Sequence, residues 1–346
     1  MTRIGFLSFG HWQPAPGSRT QTARDALQQT IELAVAAEEL GLDGAYVRVH
    51  HFARQLASPF PLLAAIGART TRIEIGTGVI DMRYENPLSM AEQAAAADLI
   101  SDGRLQLGVS RGSPEPAFRG AENFGYVPAE GEDDGDLARR HTAIFRAAIA
   151  GTGVAEADVR MTGSPARLPI QPQSPGLGDR IWWGSGTRAS AEWTAEQGMN
   201  LMSSTLLSED TGVPFDELQA EQIRLYRQAW AIAGHDREPR VSVSRSVIPL
   251  ATDLDRAYFG DRALRDAADQ VGYLEGVVAR FGKSYIGEPD VIAEQLAQDA
   301  AVAAADTLLL TVPNQLGVEY NTTMLASIAE HVAPAVGWSP ATARQS

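Results

Sequence analysis

The chain has 346 residues, with 29 Lys plus Arg against 43 Asp plus Glu and a formal charge of −14 at pH 7. That balance argues against nucleic acid and anionic membrane surfaces as partners. Cysteine is absent, which excludes disulfides, thiolate metal sites and cysteine nucleophiles. Lys283 is the only lysine, so a Schiff-base enzyme has one candidate nucleophile, whereas bidentate recognition of phosphate or carboxylate by arginine is well supplied. No apolar run approaches the ~18 residues of a membrane span. The opening MTRIGFLSFG is broken by Gly5, Ser8 and Gly10, so no signal peptide is read and the expectation is a soluble cytoplasmic protein.

Taken in chain order, 3–10 reads as a buried strand. Residues 22–41 follow as a helix with Thr22 and Asp25 as a capping box and Gly41 as its stop. Then come a strand at 43–50, a helix at 59–70, a strand at 72–80, a helix at 86–101 with Pro87 in its first turn, and a strand at 104–112. Residues 113–135 are rich in Gly, Pro and acids, and the acidic run EGEDDGD (130–136) is read as a solvated loop. A helix at 136–150 and an irregular segment at 152–179 precede a strand at 180–186, a helix at 189–198 and a strand at 199–205. A long amphipathic helix covers 214–234 and a strand 239–251; 252–287 looks like an insertion, and helix, strand and helix close the chain. Eight strands alternating with helices predict an α/β fold, a (β/α)8 TIM barrel. It is read as one domain over 1–346, with insertions at its C-terminal face at about 113–135, 152–179 and 252–287.

Active sites of such barrels sit at the C-terminal ends of the strands. The second strand ends in His50 and His51, which period-two alternation sends to opposite sides, so they are not expected to share a metal; no metal site is predicted. The third ends in Thr77, Gly78 and Val79, and the fourth in Ser110, Arg111 and Gly112, where the small neighbours leave room for a ligand beside the guanidinium. The fifth leads into Gly184, Ser185, Gly186 and Thr187, a glycine-rich turn before a helix whose amides suit phosphate. Trp182 and Trp183 read as core, and Trp12, Phe52, Arg83 and Tyr84 as residues that line a substrate pocket or serve packing.

ELGLDGAYVRVHHF (39–52), IEIGTGVIDMRYENPLSMAEQAAAADLISDGRLQLGVSRG (73–112), RIWWGSGTRASAEWTAEQG (180–198) and YIGEPDVIAEQL (285–296) resemble, in order, blocks of the bacterial luciferase-like flavin-dependent monooxygenase family. The resemblance implies a flavin at the C-terminal ends of the strands, with Thr77, Gly78 and Val79 beneath its ring system and often a non-prolyl cis peptide there. It implies Arg111 against the flavin or its phosphate, Ser185, Gly186 and Thr187 receiving the phosphate, His50 as the catalytic histidine, and 252–287 as a mobile lid. The implied activity is that of a monooxygenase taking reduced FMN from a separate flavin reductase and using O2 on a small organic substrate, in a homodimer or larger assembly. F420-dependent hydride transfer on the same barrel is the alternative, and a flavin-binding protein without turnover a further one. Val49 departs from the family's usual Glu-His-His-Phe, so a carboxylate lining the flavin pocket is missing from that position.

Overall fold

Parallel strands covered on both faces read as continuous apolar runs. Eight of them pair in the computed structural model, which describes residues 3–113, 115–209, 212–274, 277–341 and 343. They are β1 (Arg3–Ser8), β2 (Gly44–Val47), β3 (Glu74–Asp81), β4 (Leu105–Ser110), β5 (Ile181–Ser185), β6 (Asn200–Ser203), β7 (Val241–Arg245) and β8 (Thr307–Val312). Each pairs in parallel with the next, and the ring closes where β8 meets β1, from Arg3 opposite Thr307 to Ser8 opposite Val312. This is the (β/α)8 barrel expected from the sequence.

The helices start where side chains can take up their orphan amides. In α1 (Ala23–Glu39), Thr22 and Asp25 form the predicted capping box. α2 (Pro59–Arg69) carries proline in its first turn; α3 (Pro87–Ile100) does too, and Asn86 accepts from Leu88 N and Ser89 N. α4 (Asp134–Ile149), α5 (Arg188–Glu196) and α6 (Phe215–Ala233) follow. The acidic run is therefore only partly loop: Asp133 caps α4 through a box with Asp136, and Asp134 lies in its first turn, where negative charge suits the helix dipole.

Glycines inside the barrel make room for two large side chains. A Cβ on Gly44 or Gly76 would fall 2.5 or 2.6 Å from the Tyr46 ring, and one on Gly108 2.8 Å from Met202 Sδ. Tyr46 and Met202 pack there with Leu7, Trp182 and Leu309 as a plug separate from the larger core between strands and helices. The N-terminal end of the barrel is sealed by Arg240, whose guanidinium meets Glu74 at 2.9 and 3.0 Å and lies 5.0 Å from the centre of the Trp182 ring.

Three expectations change. β2 stops at Val47, so His50 and His51 sit in the loop beyond it rather than on a strand. The strand read at 239–251 breaks after Arg245, and Val247–Pro249 pairs instead with Tyr285–Gly287. The segment 152–179 connects α4 to the start of β5, which places it at the N-terminal face and not the C-terminal one; it holds a two-stranded ribbon, Ala155–Glu156 with Arg167–Leu168. The insertions 113–135 and 252–287 do follow strands. The latter contains α7 (Asp253–Arg265) and a hairpin, Gln270–Leu274 and Val277–Phe281, which pairs with Leu206–Leu207 beyond β6.

Candidate active site

A cavity of about 750 Å3 opens at the C-terminal ends of the strands. His50 lines it and His51 does not. His51 instead stacks on Tyr84 at 4.2 Å between centroids and meets Phe124 edge-on at 5.2 Å, within an aromatic group that includes Phe52. Burial lowers the His51 pKa, partly opposed by the charge of Glu115, so this ring is a neutral packing element. The two histidines thus diverge as expected, though through a loop and not through strand alternation.

His50 has a partner that sequence reading missed. Its Nδ1 lies 2.9 Å from Oε1 of Glu115, a side chain only 3% exposed in the 113–135 insertion. A hydrogen carried on Nδ1 would donate to this carboxylate and leave Nε2 as the accepting nitrogen. A buried carboxylate therefore does reach this histidine, from a position 65 residues further along the chain and not from residue 49; Val49 is buried and apolar.

The loop after β5 forms the opposite pole. Gly184, Gly186 and Thr187 line the cavity, and Thr187 caps α5 by accepting from Ser190 N at 3.1 Å. A Cβ on Gly184 would stand 3.2 Å from both Ser110 Cβ and Val79 Cγ1, so glycine here keeps the pocket wall thin. Ser185 is fully buried with its hydroxyl 3.2 Å from that of Ser190, and Thr77 is fully buried with its hydroxyl donating to Gly108 O at 2.8 Å. Neither side chain lines the cavity, whereas Gly78 and Val79 do, and the bond between these two is cis. Arg111 faces the same pole with Arg139 of α4, a residue the sequence reading did not single out; neither has an ion-pair partner among the described residues. Trp183, read as core, is both buried and cavity-lining. Trp12, Phe52, Arg83 and Tyr84 lie outside the cavity wall.

Between the poles lies Asp81. Arg83 holds it through Nε at 3.0 Å and Nη2 at 2.6 Å, and Gly112, at φ +85°, is required beside it because a Cβ would come within 1.9 Å of Oδ2. Burial pushes the Asp81 carboxyl up to about 6, against the opposing pull of Arg83. The folded state then binds this proton more tightly than the unfolded chain, so the group's stabilising contribution is full below about pH 4 and lost as pH rises through the folded value. Relative to Asp81→Asn, the native protein should gain about 2 kcal/mol of stability on going from pH 7 to pH 4.5 in urea titrations. A difference that stays flat over that range would show an unshifted carboxyl.

The profile of the luciferase-like monooxygenase family matches residues 2–265. The oxygenase component of the flavin-dependent trigonelline monooxygenase of Acinetobacter baylyi is 32% identical over 98 residues, 28% of this chain and 27% of that protein. The alkanal monooxygenase alpha chain of Photobacterium leiognathi is 28% identical over 236 residues, 68% of this chain and 61% of that one. The matched stretches span less than two thirds of these curated relatives. Among solved structures, the oxygenating constituent of 3,6-diketocamphane monooxygenase from Pseudomonas putida, in complex with FMN, superimposes with a TM-score of 0.68 at 19% identity, covering 96% of this chain and 99% of that one, a likeness of fold. F420-dependent enzymes also occur among the similar chains. With its barrel, its strand-end cavity and a profile match over most of its length, the chain belongs to the luciferase-like monooxygenase family.

Proposed function

We propose that this chain is the oxygenase of a two-component system, binding reduced FMN made by a separate flavin reductase and using O2 to oxygenate a small organic substrate. The observation that carries the reading is one cavity that brings His50 to one side and a phosphate-type loop to the other. Its volume suits a flavin, since pockets for such ligands run to about 300–1,000 Å3. The donor set fits as well: thin glycine walls at Gly184 and Gly186 admit a ligand close to the backbone, and the guanidiniums of Arg111 and Arg139 make no ion pair with any described residue, although Asp133 and Asp136 also line the cavity.

In this reading Gly184, Gly186, Thr187, Arg111 and Arg139 hold the phosphate, the backbone of Ser185 and Thr77 shapes the loop and strand around it, and Gly78 and Val79 support the ring system. Bound reduced FMN supplies the electrons with which O2 is activated. The protein orients the reactants, keeps water out and handles protons. His50 is the proton carrier at the cavity wall, fixed in one tautomer by Glu115. The whole chain acts as one barrel unit, working in the cytoplasm as a homodimer or larger. No helix of the described residues is long and apolar enough to cross a membrane.

Arg111→Ala should weaken FMN binding by roughly ten- to hundredfold, the worth of a charge-assisted hydrogen bond, and leave riboflavin unaffected. Equal losses for both flavins would move Arg111 away from the phosphate. The function itself is tested by coupling the protein to a flavin reductase with isotopically labelled O2 and a substrate panel. A product heavier by one labelled oxygen supports it; substrate oxidised without label, with F420 in place of FMN, overturns it in favour of hydride transfer.

A further inference from the structure

Two separate cationic regions face the cavity. Arg111 and Arg139 stand by β4 and α4, next to the loop after β5. Arg48 stands just beyond β2, which β3 and β4 separate from β5 around the barrel. A single FMN carries one phosphate ester, and the loop after β5 accounts for it in the reading above. Arg48 is left over.

Its surroundings are unusual for an enclosed arginine. The guanidinium lies 4.9 Å from the centre of the Phe9 ring, and Arg48 is one of the residues that line the cavity. It makes no hydrogen bond or ion pair with any described residue; only its backbone N–H is engaged, donating to Ser8 O at 2.8 Å. Enclosure lowers its pKa from the ordinary arginine value and the charge of Glu115 raises it, and an arginine remains a cation throughout the neutral range. Two deeply placed arginines elsewhere show what a matched one looks like: Arg245 is met by Asp299 at 2.7 and 3.0 Å, and Arg104 by the carbonyls of Gly67 and Thr70, both at 2.8 Å. An enclosed cation with no acceptor for its donors is costly, and a ligand that brings the acceptor removes that cost.

We infer that Arg48 is the docking point for a carboxylate on the substrate, and that this chain acts on small carboxylic acids. The inference rests on the proposed flavin reading, which assigns the phosphate to the other pole. The planar fork of a guanidinium matches a carboxylate with two parallel hydrogen bonds. The nearby charge of Glu115, with Asp81 in the same cavity, disfavours a dianion such as a second phosphate. Phe9, Leu7, Val79 and Leu309 offer apolar wall for the body of such an acid. His50, two residues further on, lines the same cavity, so a substrate held by Arg48 is held at the histidine's side.

The test is calorimetric titration of the FMN-loaded protein with benzoate, benzamide and inorganic phosphate. Benzoate should bind at least tenfold more tightly than its uncharged isostere, and phosphate should not displace it. Arg48→Met should weaken benzoate by about ten- to hundredfold while FMN affinity stays within about twofold, and Arg48→Lys, which keeps the charge but not the fork, should fall between. Equal binding of benzoate and benzamide by the native protein would overturn the inference, a comparison that stands even if Arg48→Met does not fold. So would displacement by phosphate, or a parallel loss of FMN affinity in Arg48→Met, which would make Arg48 a flavin ligand. Should the protein not bind FMN at all, the same titrations on the flavin-free protein still report on Arg48, so the two readings fail separately.

Discussion

Replacing His50 by alanine is expected to lower turnover with reduced FMN by about 10²-fold to 10⁴-fold, the usual worth of a positioned acid/base group, while FMN affinity changes little. The expectation follows from the pairing of Nδ1 with the buried Glu115 carboxylate at 2.9 Å, which fixes the ring of a residue that lines the cavity. Oε2 of Glu115 is buried without a hydrogen-bond partner among the described residues, so this carboxylate is committed to few contacts besides the histidine. Glu115→Gln should therefore produce a smaller loss, because an amide can still accept from Nδ1 but no longer stabilises the charged ring. Steady-state and single-turnover rates with reduced FMN distinguish the cases; an unchanged rate in His50→Ala removes the histidine from the chemistry.

The largest expected effect on stability lies away from the cavity wall. Arg245 and Asp299 form a buried bidentate pair, 3% and 0% exposed, and Asp299 also accepts from Tyr285 OH at 2.5 Å and caps Ala301 N and Val302 N. Burial alone would raise the Asp299 pKa, but the hydrogen bonds and charge of Arg245 outweigh it and the pKa is lowered. A lowered carboxylate contributes stability above its unfolded pKa that is lost as pH falls through the folded value. Arg245→Met strands this carboxylate and should cost about 3–5 kcal/mol at neutral pH, read as a shift in the urea midpoint. With Arg245 gone, burial acts on Asp299 opposed only by the hydrogen bonds from Tyr285 and the backbone amides, so the deficit should shrink on acidification, and adding Asp299→Asn should recover part of it. A loss below about 1 kcal/mol would mean that water reaches the pair.

How much of this was legible in the sequence depended on range. Buried parallel strands announce themselves as short apolar runs, and the capping signals at Thr22 and Asn86 are local, so the order of elements could be read directly. The glycine turn at 184–187 was legible for the same reason. Glu115 was not, because its meeting with His50 joins β2 to an insertion with no periodic pattern. Arg48 carries a local signal: it stands two residues before His50 at the end of an apolar run, directly after the last residue of β2. Chain order also held the correct place of 152–179, since a segment that follows a helix and precedes a strand belongs to the N-terminal face.

The proposed function requires that this cavity serve reduced FMN and oxygen. Anaerobic titration of the purified protein with reduced FMN and with reduced F420, followed by admission of O2, tests it most directly. The expected result is tight binding of reduced FMN, little of F420, and oxygen uptake in proportion to bound flavin. Binding of F420 alone, with no reaction on exposure to O2, would contradict it and make the chain a hydride-transfer enzyme.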